Sequence, residues 1–118
     1  MLDKKLVAAT SEALILSILQ EGDSYGYEII QRVSALSHGE LKWNESMLYP
    51  VLHRLENNGM VSSYWQASPT GRQRKYYSVD EDGLAELEEK KRQWRIADGA
   101  LGSLWGPNDE VHVRQAKE

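Results

Sequence analysis

Apolar positions along the chain repeat first with helical spacing, then with the composition of strands, and then with helical spacing again. Leu6, Ala9, Ala13 and Leu16 recur at three- and four-residue steps, and Val7, Leu14, Ile15 and Ile18 widen the stripe. This predicts an amphipathic helix from about Lys4 to Gln20. Glu21-Gly22-Asp23 stops it, because glycine tolerates the backbone conformations of a helix C-terminus. A second helix is predicted over Tyr25–Leu36, with Ser24 as N-cap and Tyr25, Ile29, Val33 and Leu36 on one face. Gly26 in its first turn costs about 1 kcal/mol of helix propensity, so close approach of another backbone is expected there. After Ser37-His38-Gly39, the stretch Glu40–Trp43 is expected to add a short strand to a later hairpin.

Asn44 caps a third helix, with Glu45 in its positive first turn. Met47, Leu48, Val51, Leu52 and Leu55 form its expected buried stripe, which leaves Ser46, Tyr49, His53, Arg54, Asn57 and Asn58 outside. Pro50 removes one ladder hydrogen bond, and Gly59 ends the helix. Met60–Ala67 has the β-branched and aromatic content of a strand. Ser68-Pro69-Thr70-Gly71 carries a type I turn signature, and Arg72–Val79 returns.

Asp80 is the expected N-cap of a last helix, Glu81–Trp105, roughly 37 Å long at 1.5 Å per residue. Its stripe contains Leu84, Leu87, Trp94, Ala97, Leu101 and Leu104. A domain of this size cannot cover so long a stripe, and a two-fold-related copy is the simplest partner. The fold class expected is mainly α with a small β-hairpin. Residues 1–79 form a winged helix-turn-helix, 80–106 a dimerisation helix, and 107–118 a polar, disordered tail.

The 118 residues contain no cysteine, which excludes disulfides and thiol chemistry and fits a reducing cytoplasm. No apolar run reaches the roughly 20 residues of a membrane span. The N-terminus superficially suggests a secretory signal, but Ser11, Glu12, Ser17 and Gln20 interrupt it, favouring a mature helix. A net charge of −4 argues against a polyanion binder until it is split: residues 44–79 carry four basic groups against two acidic ones. Attraction to phosphate follows local charge.

That segment holds the candidate chemistry. A helix entering a major groove presents polar side chains away from its core stripe, so Ser46 and Tyr49 are candidate base or phosphate contacts and Arg54 a backbone contact. Arg72, Arg74 and Lys75 beside the glycine turn are candidate wing contacts, arginine being suited to a narrow minor groove. The plain alternative is a solvated helix face and hairpin.

His38, His53 and His112 make no metal-ligand spacing, and His53 with Glu56 reads as a surface pair. No metal, cofactor or enzymatic signature is present. Trp94 admits two readings: an anchor in a dimer seam formed with Leu6, Leu87, Leu101 and Leu104, or a platform stacking a planar aromatic or cationic ligand, tuned by Ala97 and Asp98.

Ser46-Met47-Leu48-Tyr49-Pro50-Val51-Leu52-His53-Arg54-Leu55-Glu56, followed by Gly59-Met60-Val61, resembles the core motif of the PadR family of transcriptional regulators. Ser24-Tyr25-Gly26-Tyr27-Glu28-Ile29 and Gly71-Arg72-Gln73-Arg74-Lys75-Tyr76-Tyr77 are similar to its second-helix start and wing. The resemblance covers about residues 5–95, and the single long helix after the wing is similar to the branch of multidrug-sensing repressors. It implies a homodimer built through the first and last helices that binds operator DNA through Ser46, Tyr49, Arg54, Arg72, Arg74 and Lys75. It further implies repression relieved by a small ligand at Trp94. Met47 departs from the family's threonine, and Asp80 stands for the threonine before the last helix. A winged-helix module that binds a protein rather than DNA is the alternative function.

Overall fold

The computed structural model describes residues 3–106, so the expectation for the tail 107–118 lies outside the described residues. In chain order the elements are α1 (Lys4–Glu21), β1 (Ser24–Tyr25), α2 (Gly26–Leu36), α3 (Glu45–Asn57), β2 (Val61–Ala67), β3 (Gln73–Val79) and α4 (Glu81–Trp105). The protein is mainly helical, with a winged helix-turn-helix order and a small antiparallel sheet. The chain divides into two compact units, with the boundary inside α4 between Leu87 and Glu88.

In the first unit, the helical stripes converge on one core of Ile15, Leu16, Ile29, Val33, Leu48, Leu52, Leu55, Val61, Tyr77 and Leu87, with Trp43 at its margin. Truncating any of the buried leucines to alanine would cost about 2–5 kcal/mol. Asp3 opens α1 by accepting the Lys5 N–H at 3.1 Å. Leu6 lies outside this core, 45% exposed. Asn44 caps α3 as expected, its side chain accepting the Met47 N–H at 3.0 Å, and Gly59 follows the helix at φ 76°.

Four local expectations are corrected. The sheet has three strands in the order β1-β3-β2, and the added strand is Ser24–Tyr25 rather than Glu40–Trp43. Ser24 pairs with Tyr77 and Tyr25 with Tyr76, while Trp43 leaves the linker to bury its ring at the core, 6% exposed. Ser24 is consequently not the N-cap of α2. Tyr25 holds that position without a side-chain cap, and the Ser24 hydroxyl donates to Glu28 Oε1 at 2.6 Å. Strand pairing carries the extended backbone right up to the helix.

Met47 does not join the stripe of α3. It is 38% exposed, whereas Leu48, Leu52 and Leu55 are buried, so the stripe is narrower than expected. Leu36 likewise ends α2 in solvent at 54% exposure.

α4 opens with the Asp80 N–H bonded to the Met60 carbonyl at 2.9 Å and the Ser62 hydroxyl donating to the Asp80 carboxylate at 2.7 Å. Gly83 and Leu87 are its buried residues. A side chain at Gly83 would run into that same Met60 carbonyl, which is why glycine occupies a helical position.

In the second unit the helix carries the i,i+3 ion pairs Lys91–Glu88 at 3.2 Å and Arg92–Glu89 at 2.8 Å. Hydrogen bonds from Arg92 and Gln93 pull the Glu89 carboxyl down to about 2. Trp94, Ile96, Leu101, Leu104 and Trp105 are all exposed, Leu104 by 83%. None of the helices among the described residues is long and apolar enough to cross a membrane.

Candidate nucleic-acid interface

The outward face of α3 is built by default: once Leu48, Leu52 and Leu55 are buried, Ser46, Met47, Pro50, His53, Arg54 and Asn57 are exposed. The Ser46 hydroxyl lies in the cap, donating to Asn44 Oδ1 at 2.7 Å. Cap and candidate contact therefore share one oxygen, which holds the first turn ordered at the point where a groove would be entered.

Tyr49 departs from the expected free outward position. It is half-buried and packs against the core, with its hydroxyl over Gly26, where an added Cβ would lie 2.9 Å from Cζ. Burial, and then the Glu45 carboxylate, raise its phenol pKa. This contact, to a side chain rather than a backbone, accounts for Gly26. The ring also lies 6.2 Å from that of His53.

Arg54 points back across α3 to α1, its Nε donating to Glu12 Oε2 at 2.9 Å, with half of its side chain still exposed. Glu56, expected beside His53, accepts the Ser63 hydroxyl at 2.7 Å.

The wing turn closes through Gly71 N–H to Ser68 O at 2.8 Å and Ser68 N–H to Arg72 O at 2.7 Å, with Gly71 at φ 90°. Arg72 is exposed just beyond it. Strand alternation then separates the two remaining cations. Lys75 falls on the face of Tyr77, its Nζ 5.7 Å from that ring.

Arg74 falls on the opposite face, its guanidinium 4.3 Å from the centroid of Tyr25. Tyr25 meets Tyr76 edge-on at 5.3 Å, and Tyr76 stacks on Tyr64 at 5.7 Å. Tyr64 in turn donates to Asp23 Oδ2 at 2.6 Å, the hydrogen bond that raises its phenol pKa. This tyrosine ladder was invisible in sequence, because its members share a face only through the β1–β3–β2 register.

A groove of about 880 Å³ lies between α1, the α2–α3 linker and α3, lined by Val7, Ala8, Trp43, Met47 and Val51 together with Lys4, Lys42 and Arg54. Trp94, Ala97 and Asp98, the expected ligand residues, are exposed on α4 in the second unit. Leu87, grouped with Trp94 in the expected dimer seam, is enclosed in its own core at 1% exposure. Among the described residues no three His, Asp or Glu side chains form a group able to hold a metal ion.

A family model described as the transcriptional regulator PadR-like family matches residues 15–89. A transcriptional regulator from Clostridium thermocellum has a similar structure, with TM-score 0.77 and 29% identity over 85% of this chain and 97% of that one. A PadR-like transcriptional regulator from Bacillus cereus superposes with TM-score 0.77 and 29% identity over 87% of this chain and 98% of its own. The transcriptional regulator YqjI of Escherichia coli is 29% identical over 68% of this chain, which spans 37% of that longer protein. With the family model matched over residues 15–89, which span α3 and the wing, and solved regulators sharing the fold, the chain belongs to the PadR-like family of transcriptional regulators.

Proposed function

We propose that the chain acts as a homodimeric transcriptional repressor in the cytoplasm. Its two copies present α3 and the wing to successive half-sites of one operator, and a small aromatic or cationic ligand at Trp94 relieves repression. DNA-binding regulation follows from the family; the repressor role, the dimer and the ligand are the added reading. The observation that carries it is the exposed polar face of α3 in the same compact unit as a wing bearing Arg72 and Arg74. Exposed Trp94, Leu101 and Leu104 on α4 support the dimer, since so much apolar side chain on one helix calls for a partner.

Footprinting on the protein's own upstream region, paired with sedimentation, tests this reading. The expected result is a dimer protecting two half-sites about 10 base pairs apart or a multiple of that. Absence of protection, with salt-insensitive binding to a protein partner, would instead assign the protein-interaction role. For the ligand, a planar cationic dye should quench tryptophan emission in the intact protein and lose that effect in Trp94→Leu. The chain has four tryptophans, so the variant is the necessary control.

A further inference from the structure

We infer that Tyr25 is the positioning residue of the wing: it holds the Arg74 guanidinium ready for the nucleic-acid backbone. This rests on the DNA-binding reading above and adds a residue that neither the recognition helix nor the wing contains.

Tyr25 lies opposite Tyr76 in the β1–β3 pairing, and Arg74 is two residues back along β3 on the same face. That makes Tyr25 and Arg74 diagonal cross-strand neighbours, within reach of a long side chain. The guanidinium lies over the ring at 4.3 Å, and both side chains are half-buried. The ring is itself fixed, edge-on against Tyr76 at 5.3 Å, with Tyr76 stacked on Tyr64 and Tyr64 tied to Asp23. A free arginine loses side-chain entropy when it docks on phosphate. Stacking on a fixed ring removes most of that loss beforehand while leaving the guanidinium N–H donors available at its edge. Arg72, exposed beside the turn, stacks on no ring among the described residues and serves as the internal control.

The test is a double-mutant cycle on operator affinity at fixed salt, using Tyr25→Leu, Tyr25→Phe and Arg74→Ala in the full chain. Arg74→Ala is expected to weaken binding about tenfold and to reduce the salt slope by about 1. Tyr25→Leu should weaken it about two- to fivefold, the range set by an exposed cation–π contact, and Tyr25→Phe should restore it. Tyr25→Leu should add nothing in the Arg74→Ala background but keep its full effect in Arg72→Ala.

In the free protein, the ring-current shift of the Arg74 side-chain NMR signals should vanish in Tyr25→Leu and persist in Tyr25→Phe. Equal losses from Tyr25→Leu with and without Arg74 would make Tyr25 merely structural and overturn the inference, as would an unmoved Arg74 signal. If the unaltered protein binds no operator, the DNA-binding reading fails first. The NMR signal then still decides whether Tyr25 holds Arg74.

Discussion

The Tyr49 ring of α3 closes over Gly26 at the start of α2, so the recognition helix rests on the residue next to Tyr25, the partner of Arg74. Helix and wing are thus joined through three consecutive residues: Ser24 and Tyr25 pair with β3, and Gly26 receives the Tyr49 ring of α3.

Gly26→Ala should therefore destabilise the protein by about 1 kcal/mol. The added methyl meets the Tyr49 hydroxyl and Cζ, and overpacking outweighs the helix propensity gained. Thermal denaturation checks this, and Tyr49→Phe, which removes the nearest atom, should recover part of the loss. A rise in stability on Gly26→Ala alone would show that the ring moves aside freely.

Gly83→Ala should cost more, at the upper end of about 1–3 kcal/mol. Here the obstacle is the backbone carbonyl of Met60, already engaged by the Asp80 N–H, with Val79 Cγ2 at 2.8 Å from the added carbon. Neither can swing away as a tyrosine hydroxyl can. Urea denaturation should show a lowered midpoint with an unchanged slope.

Tyr77→Phe should stabilise the protein by about 1 kcal/mol. The Tyr77 hydroxyl is buried with no hydrogen-bond partner among the described residues, and its removal relieves an uncompensated desolvation cost. Burial, and then the Glu56 and Tyr49 charges, raise the Tyr77 pKa above the ordinary 10.0. Above pH 10 the unfolded chain loses this proton while the folded one keeps it. The contribution to stability is thus intact below pH 10 and falls as pH rises beyond it. Measured by denaturation at high pH, the fall should be shallower in Tyr77→Phe.

Glu12→Gln should change stability by less than about 1 kcal/mol, since its ion pair with Arg54 is partly solvated. Arg54 would then be released towards phosphate, and operator affinity at low salt should rise by a few fold. Weaker binding would mean that Glu12 orients Arg54 rather than withholding it.

The elements that carry their own periodicity were legible in sequence: α1, α3 and α4 begin and end within a residue or so of expectation, because stripe, cap and terminating glycine agree. β1 was not, since two residues have no period and their pairing to Tyr76 and Tyr77 is a long-range event. Glu40–Trp43 forms no strand because Trp43 fills the core instead. The candidate contacts divide in the same way. Ser46 and Arg72 are exposed as their local pattern implied. Tyr49, Arg54 and Arg74 each found a partner from another helix or strand that no local pattern names, whereas Lys75 meets Tyr77 two residues along its own strand, as alternation implies.

The central claim, that α3 and the wing together grip DNA, is tested most directly by operator affinity measured across a salt series for the intact protein and for Arg72→Ala with Arg74→Ala. The expected result is a loss of about tenfold or more, with the salt slope reduced by about 1 for each lost phosphate contact. Unchanged affinity and slope in a correctly folded double variant would contradict it.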